Sequence, residues 1–285
     1  MSHISVTFDE YPALVLENDH YGDGFALVDL LNYFDGTTAR EEKQPRPDAD
    51  GDFEQAPVYA DARYPVAIGN VSYTSEAELF EARRVVAGLW AKRTELTMRV
   101  VSLEGARTLT VVRNGKPMWD LTIAPGYAEF ELPFKAADPR KYGELQSSTV
   151  GLPVAGGGVE EPLISPFTEI GGGSEGRVVL TNTGTTDTFP ILKVTGGLAD
   201  GVELIRVETG ERLRLEWPIN LGNVITFDFA EGQVWIDDQS PISGYLTRSQ
   251  WWVLGPGETA TVQFEGLGVV TGTPMLTAEW RDADA

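Results

Sequence analysis

Apolar and polar residues alternate along most of this 285-residue chain, but the alternation stops in one central stretch, residues 130–162. Alternation with a period of two is typical of β-strands that bury one face. Within the stretch, Asp138-Pro139 favours a turn, because a residue before proline is pushed out of the helical region. The glycine triplet at 156–158 resists regular structure, since glycine loses the most conformational entropy on ordering. We interpret the stretch as a joint between two domains.

The pattern predicts a mainly β chain. An N-terminal domain covers residues 1–145, a linker covers residues 146–162, and a C-terminal domain covers residues 163–285. An alternative to the linker is a docking segment in which Phe134 and Tyr142 pack on a neighbouring surface.

The N-terminal domain is predicted to be α+β, a sandwich-like or barrel-like sheet with one helix and a long hairpin. Ser75 followed by Glu78 is typical of a capping box at a helix start. The apolar residues after it recur on one helical face: Leu79, Ala82, Val86 and Leu89. We therefore predict a helix from about residue 76 to residue 92.

Strands of the N-terminal domain are indicated by short alternating runs over residues 4–8, 13–16, 96–104 and 127–134. Residues 24–36 contain apolar positions at both spacings, so helix and strand both remain open there. Residues 107–124 predict a hairpin that turns at Asn114-Gly115, the pair that accepts positive φ at both central positions.

The C-terminal domain is predicted to be an antiparallel sandwich of the jelly-roll kind. Its runs are short, evenly spaced and separated by turn residues. They cover residues 176–184, 188–196, 201–209, 211–218, 223–229, 232–238, 258–266 and 274–280. Because no helical pattern interrupts them, a parallel βαβ sheet is disfavoured.

Charge is the strongest feature of the composition. Lys and Arg number 22 against 43 Asp and Glu, a formal net charge of −21. Stable binding to nucleic acid is excluded, because that affinity comes from cationic contacts and released counterions. The chain has no cysteine, so disulfides and thiolate chemistry are excluded as well. No apolar run is long enough to span a membrane, and we expect no signal peptide.

Catalytic, cofactor-binding and metal-binding residues are not predicted anywhere in the chain. His3 and His20 stand near the N-terminus without a nucleophile motif, and no phosphate-binding or zinc motif occurs. Residues 48–52 lack the glycine and glutamate of a calcium loop and lie in a polar loop over residues 40–57. The carboxylate pairs Glu160-Glu161 and Asp237-Asp238 are expected to be solvated linker and turn residues.

Four stretches resemble the distal tail proteins of long-tailed bacteriophages, the siphovirus tail-component family. They are LPFKAADPRKYGE (132–144), NTGTTDTFPILKVTG (182–196), LRLEWPINLGNVITFDFAEGQVWID (213–237) and SQWWVLGPGETATVQF (249–264). Their order and spacing carry the resemblance. Glu258 departs from it, because a more turn-prone residue is expected at that position.

This resemblance implies a structural virion protein at the distal end of the tail, made in the cytoplasm of the bacterial host. It implies that the first domain forms a homo-oligomeric ring, six-fold in the family, and that the second is a galectin-like sandwich. The implied partners are further copies of the chain, the tail-tube protein, the tape-measure protein and tail-tip or tail-associated proteins. DNA passes through such a ring without stable binding. Because like charges oppose ring closure, the contacts are expected to be mainly apolar and hydrogen-bonded, or to use the basic cluster Arg83-Arg84 and Lys92-Arg93 against acidic neighbours.

A carbohydrate-binding adhesin is the alternative function, because a galectin-like sandwich suggests host-surface glycans. The histidine of a galectin-type site is missing, since both histidines lie outside the second domain. Trp251-Trp252 offers a stacking surface if one ring is exposed; otherwise one fills the core and the other packs at a domain interface. Trp90 and Trp119 are expected to be core or subunit-contact residues.

Overall fold

The computed structural model describes residues 3–20, 22–40, 47–48, 50, 59–124, 126–153 and 175–285, with residues 122–124 described by their backbone alone. The chain divides into two compact units, residues 1–143 with Ala285, and residues 144–284. Several sequence features lie outside the described residues: most of the loop 40–57, residues 154–162 of the predicted linker with the glycine triplet, Glu160-Glu161, and glycines 171–173.

The N-terminal unit is a closed barrel with one helix. Its elements are β1 (Ser5–Phe8), β2 (Val15–Glu17), β3 (Gly24–Leu31), β4 (Val66–Ser72), α1 (Glu76–Ala91), β5 (Leu96–Ser102), β6 (Gly105–Arg113), β7 (Met118–Ala124) and β8 (Tyr127–Lys135). Seven strands follow the order β6-β5-β1-β2-β3-β4-β8, and β8 pairs with β6 to close the barrel. Strand β7 pairs with the outer side of β8. The prediction of a barrel-like α+β domain is confirmed.

Alternation along β8 builds the core of this barrel. Every second residue of β8 is fully buried, and the residues between are half-buried. The buried set is Ala128, Phe130, Leu132 and Phe134. Phe134 packs on Phe8 and Trp90 at ring-centroid distances of 5.2 and 5.3 Å. Residues 24–36, which fit both helix and strand in sequence, contain strand β3.

Helix α1 begins and ends close to its predicted bounds. Ser75 caps it, but its Oγ accepts from the backbone N–H of Ala77 at 3.2 Å rather than from that of Glu78, as the capping box requires. The predicted apolar face is buried, and Trp90 extends it. Leu89 is fully buried, so the helix is held mainly by tertiary packing.

The predicted hairpin over residues 107–124 is wrong in its pairing. In the described residues, β6 pairs with β5, β8 and β9, while β7 pairs with β8. Gly115 has a φ of 78°, but Asn114 stays out of the left-handed region, so the two-residue hairpin turn does not form. The Asn114 N–H donates instead to Pro133 O at 2.9 Å, so the residue that follows β6 is bonded to β8 rather than to β7. The long hairpins are β5–β6 and β7–β8.

The C-terminal unit is an antiparallel sandwich, as predicted. Its strands are β9 (Lys141–Gly151), β10 (Arg177–Thr181), β11 (Ile191–Leu198), β12 (Gly201–Arg206), β13 (Arg212–Leu215), β14 (Val224–Asp228), β15 (Gln233–Ile236), β16 (Ser240–Pro241), β17 (Leu246–Ser249), β18 (Thr259–Leu267) and β19 (Val270–Asp284). One sheet has the order β16-β15-β14-β11-β19-β9, and the other has β10-β18-β12-β13-β17. Their inward residues form one hydrophobic core.

Part of the predicted linker is a strand. Residues 146–151 continue β9, whose first residues, 141–143, belong to the N-terminal unit. The sequence of this part, QSSTVG, is mostly polar, so it lacks the apolar alternation that marks the other strands. Polar side chains stabilise it instead: Gln146 Nε2 donates to Asp282 Oδ1 at 3.1 Å, and the hydroxyls of Thr149 and Thr277 are 3.0 Å apart.

Candidate functional site

The outer face of β3, β4, β8 and β7 is both acidic and apolar. Register places Asp29, Ile68, Glu131 and Met118 in one row across the four strands. A second row contains Asn70, Glu129 and Asp120, and a third contains Leu31, Val66 and Pro133. A bulge between Leu27 and Asp29 leaves Val28 63% exposed beside these rows. We call this face the acidic wall.

Two glutamates of the acidic wall, Glu129 and Glu131, make no ion pair in the part of the chain that the structure describes. Glu129 and Asp120 lie directly opposite on paired strands, an arrangement that destabilises a sheet when both are charged. In the described residues, Glu129 and Glu131 have no cationic partner; Glu129 accepts only from the Tyr127 hydroxyl at 3.4 Å. The described part of the chain contains no group of three acidic or histidine side chains able to hold a metal ion.

Helix α1 presents a cationic face to solvent. Phe80, Arg83, Arg84 and Ala87 share it, because residues three and four apart lie on one side of a helix. Phe80 is 52% exposed. Arg84 Nη1 pairs with Glu81 Oε1 at 2.9 Å, an exposed ion pair that contributes little. Arg83 and Arg93 have no partner among the described residues. We call Phe80, Arg83, Arg84, Lys92 and Arg93 the helix patch.

Arg63 organises the connection between β3 and β4, a role that the sequence analysis missed. It is 5% exposed. Its Nε donates to Pro139 O at 3.0 Å, and its Nη1 lies 3.1, 2.9 and 2.7 Å from the carbonyl oxygens of Asn32, Tyr33 and Asp35. Burial lowers the pKa of Arg63, while nearby Tyr33 and Asp35 act against that shift. A cleft of about 340 Å³ lies beside it.

The alternative docking role of Phe134 and Tyr142 is wrong for Phe134, which is fully buried in the barrel core. Tyr142 is half-buried, and its hydroxyl donates to Asp138 Oδ2 at 2.6 Å. Burial, together with this hydrogen bond, raises the pKa of Tyr142. The segment therefore folds back on its own unit through its side chains.

Trp90 and Trp119 both pack in the N-terminal unit. Trp90 is 8% exposed, and its Nε1 donates to Gly115 O at 3.0 Å. Trp119 is half-buried and stacks on Phe130 with a centroid distance of 6.2 Å. The prediction that they are core or contact residues fits this packing.

Trp251 and Trp252 do not form an open platform. Trp252 is 5% exposed and lies in the core of the sandwich. Trp251 is half-buried and packs edge to face on Phe229, with ring centroids 5.1 Å apart. Trp252 packs on the same phenylalanine ring. The two residues follow β17 in a segment without regular pairing, so strand alternation does not apply to them.

The other residues singled out in the sequence have local roles in the structure. Asp237 and Asp238 form a turn with φ values of 53° and 52°. The Asp237 carboxylate accepts from the Val224 N–H at 2.8 Å, so the turn is braced by its side chains. His3 Nδ1 lies 3.0 Å from Asp19 Oδ1, and His20 Nε2 lies 3.0 Å from the carbonyl oxygen of Asp23.

Buried polar residues of the sandwich were not predicted. Asn182 is fully buried and its Nδ2 donates to the carbonyl oxygens of Thr186, Leu254 and Gly255. Arg206 is 6% exposed and pairs with Glu258, the residue that departs from the family pattern. The departure from the family pattern at Glu258 marked the position of this partner in the sequence.

Comparisons with known proteins agree with this architecture. Residues 183–281 match a family model described as siphovirus-type tail component, C-terminal domain. The fold is similar to the crystal structure of the SPP1 Dit protein, described as a paradigm of the hub adsorption apparatus in phages infecting Gram-positive hosts. That similarity has a TM-score of 0.65, 14% identity and 98% coverage of both chains. A comparison with curated proteins finds no match.

Two further similar structures are of the phage P2 baseplate in its activated conformation, with Ca and with Sr. Each has a TM-score of 0.51 and 98% coverage of both chains, at 9% and 8% identity. At these identities the likenesses show the fold.

Residues 183–281 therefore resemble the C-terminal domain of siphovirus-type tail components, and the resemblance to siphovirus distal tail proteins drawn from the sequence is confirmed. In the described residues, no helix is long and apolar enough to cross a membrane.

Proposed function

We propose that this protein is the hub of the tail tip, a ring that joins the tail tube to tip or receptor-binding proteins. The observation that carries the proposal is the fold likeness over 98% of the chain to a protein described as a hub of an adsorption apparatus. The likeness includes the N-terminal unit, which the family match does not reach.

The first domain, residues 1–145, is the ring-forming part of this proposal. Six copies close the ring, a count that comes from the family resemblance. A closed ring built from head-to-tail contacts needs two different faces on each subunit. The acidic wall and the helix patch supply two such faces on the barrel unit. The partners are the tail-tube, tape-measure and tail-tip proteins, and no catalytic activity is expected.

The second domain, residues 163–285, is a galectin-like sandwich in this proposal, and it faces the tip or receptor-binding proteins. The adhesin alternative needs an exposed aromatic platform or a polar glycan site. The packing of Trp251 and Trp252 on Phe229 favours a structural role for these rings instead.

Negative-stain microscopy and light scattering of the purified protein test the proposal at near-physiological salt. Moderate salt should be tolerated, because it screens the mutual repulsion of acidic subunits over about 8–10 Å. We expect rings of several copies, alone or with added tail-tube protein. Monomers at micromolar concentration under both conditions would contradict it. A monomer that binds glycan arrays would support the adhesin.

A further inference from the structure

We propose that the acidic wall of one copy receives the helix patch of the next copy. This inference rests on the proposed ring and names the two surfaces that would form its repeated contact. The occupant of the wall is therefore helix α1 of a second copy of this chain, with the residues that directly follow the helix.

The wall itself calls for a cation. Glu129 and Glu131 lie two residues apart on the outer face of β8. Neighbouring carboxylates at this spacing repel, and no cation of the described residues meets Glu129 or Glu131. Arg and Lys side chains are fitting partners for such carboxylates, because charge-assisted hydrogen bonds to a carboxylate are strong.

The helix patch supplies those cations in a chain that is otherwise acidic. From residue 82 to residue 94 the sequence contains Arg83, Arg84, Lys92 and Arg93 and no carboxylate. Arg83 and Arg93 make no ion pair in the described residues, and the only partner of Arg84 is the exposed Glu81. Lys92, near the end of this segment, has its Nζ over the Tyr11 ring, 5.2 Å from the ring centroid.

Apolar side chains on both surfaces match as well. Phe80 protrudes from the helix patch at 52% exposure. On the wall, Leu31 and Met118 are each 41% exposed, and Ile68 lies between the row neighbours Asp29 and Glu131. An aromatic anchor that is surrounded by charge pairs is the usual composition of an energetic centre in a protein interface. Pairing opposite charges also offsets the repulsion between subunits of net charge −21.

Charge reversal on each surface tests the proposal. The wall variant carries Glu129→Arg and Glu131→Arg, and the helix variant carries Arg83→Glu and Arg84→Glu. All four side chains point outward, so both variants should fold, which circular dichroism and thermal melting check. Like charges that meet at an interface are strongly unfavourable, and each variant alone should associate about tenfold more weakly or worse.

Mixing the two variants in equal amounts gives the sharpest result. The reversed wall of one then meets the reversed helix of the other, and the two unchanged surfaces also meet. Rings of alternating subunits should return, since a six-fold ring has an even number of positions. The matched control is Glu95→Arg with Glu104→Arg, two exposed carboxylates elsewhere on the unit, and it should still form rings.

A disulfide pair adds a measurement independent of charge. The chain has no cysteine, so Phe80→Cys with Ile68→Cys should cross-link copies into a ladder under oxidising conditions. Phe80→Cys with Thr110→Cys, placed on β6, should not. If both charge variants still form rings like those of the wild type, the surface assignment is overturned and the proposed ring is unaffected. A mixture of the two variants that stays monomeric, while the wild type forms rings, also overturns the surface assignment. Absence of wild-type rings beside tail-tube protein would overturn both proposals.

Discussion

Replacing Arg63 by methionine should destabilise the N-terminal unit strongly. The substitution keeps the length of the side chain but removes a buried guanidinium that bonds four backbone carbonyls. These carbonyls belong to residues 32, 33, 35 and 139, so Arg63 holds two separate segments together. Methionine cannot donate to them, and buried acceptors that lose their donors cost free energy.

The magnitude follows from the geometry. Hydrogen bonds from a charged donor contribute about 1.5–3 kcal/mol each, but three of the four carbonyls share Nη1 and therefore cannot all bind at full strength. Burial of the cation offsets part of the gain, as its lowered pKa shows. We expect a loss of about 3–5 kcal/mol in the free energy of unfolding, comparable to breaking a buried ionic group from its partners.

Urea unfolding of the full chain, followed by tryptophan fluorescence, measures this loss. Trp90 and Trp119 report on the unit that contains Arg63. Arg63→Lys is the control, because lysine keeps the charge but reaches only some of the four carbonyls. Its free energy of unfolding should lie between those of the wild type and Arg63→Met. A free energy of unfolding for Arg63→Met within about 0.5 kcal/mol of the wild type, the usual range for surface substitutions, would refute the reasoning.

Three further predictions concern other parts of the chain. Leu89→Ala should cost about 2–5 kcal/mol in thermal melts and Ser75→Ala only about 1 kcal/mol, since the first empties a buried site and the second removes a cap; a silent Leu89→Ala contradicts the buried face. The raised pKa of Tyr142 stabilises the fold below pH about 10, where the unfolded phenol is also protonated, and this contribution is lost as pH rises further. Tyr142→Phe should therefore flatten the alkaline decline in urea midpoints, and an unchanged slope argues against it. Limited proteolysis should cut in residues 152–175 and 40–57; cuts inside both sheets with these segments intact count against the domain division.

Strands with one buried face were predictable because their alternation is written in the sequence. β8, with buried Phe130 and Phe134 between half-buried neighbours, is the clearest case. β9 was not predicted at all, and from Gln146 onward threonine and glutamine hydrogen bonds replace apolar burial in it. The pairing of β6 was mispredicted because Asn114-Gly115 reports local turn preference, whereas the bond from Asn114 to Pro133 is a tertiary contact.

The candidate surfaces were only half visible in the sequence. The basic cluster was recognised from its composition, since four cations without a carboxylate stand out in an acidic chain. The acidic wall was not, because Asp29 is far along the chain from Asp120 and Glu129 and meets them only through strand register. Arg63 was missed for a similar reason: its partners are backbone carbonyls, which leave no trace in the identity of side chains.

Closure of the barrel also bears on how such a protein avoids uncontrolled polymerisation. An open sheet offers a row of unpaired backbone groups, on which another copy can add a strand without limit. Here β8 pairs with β6 and closes the main sheet, and the outlying β7 pairs with β8 through a shifted, irregular register that makes a poor template. Barrel units brought close together must therefore recognise one another through side chains. Side-chain contacts can be selected for one angle between neighbours, and that angle sets how many copies close the ring.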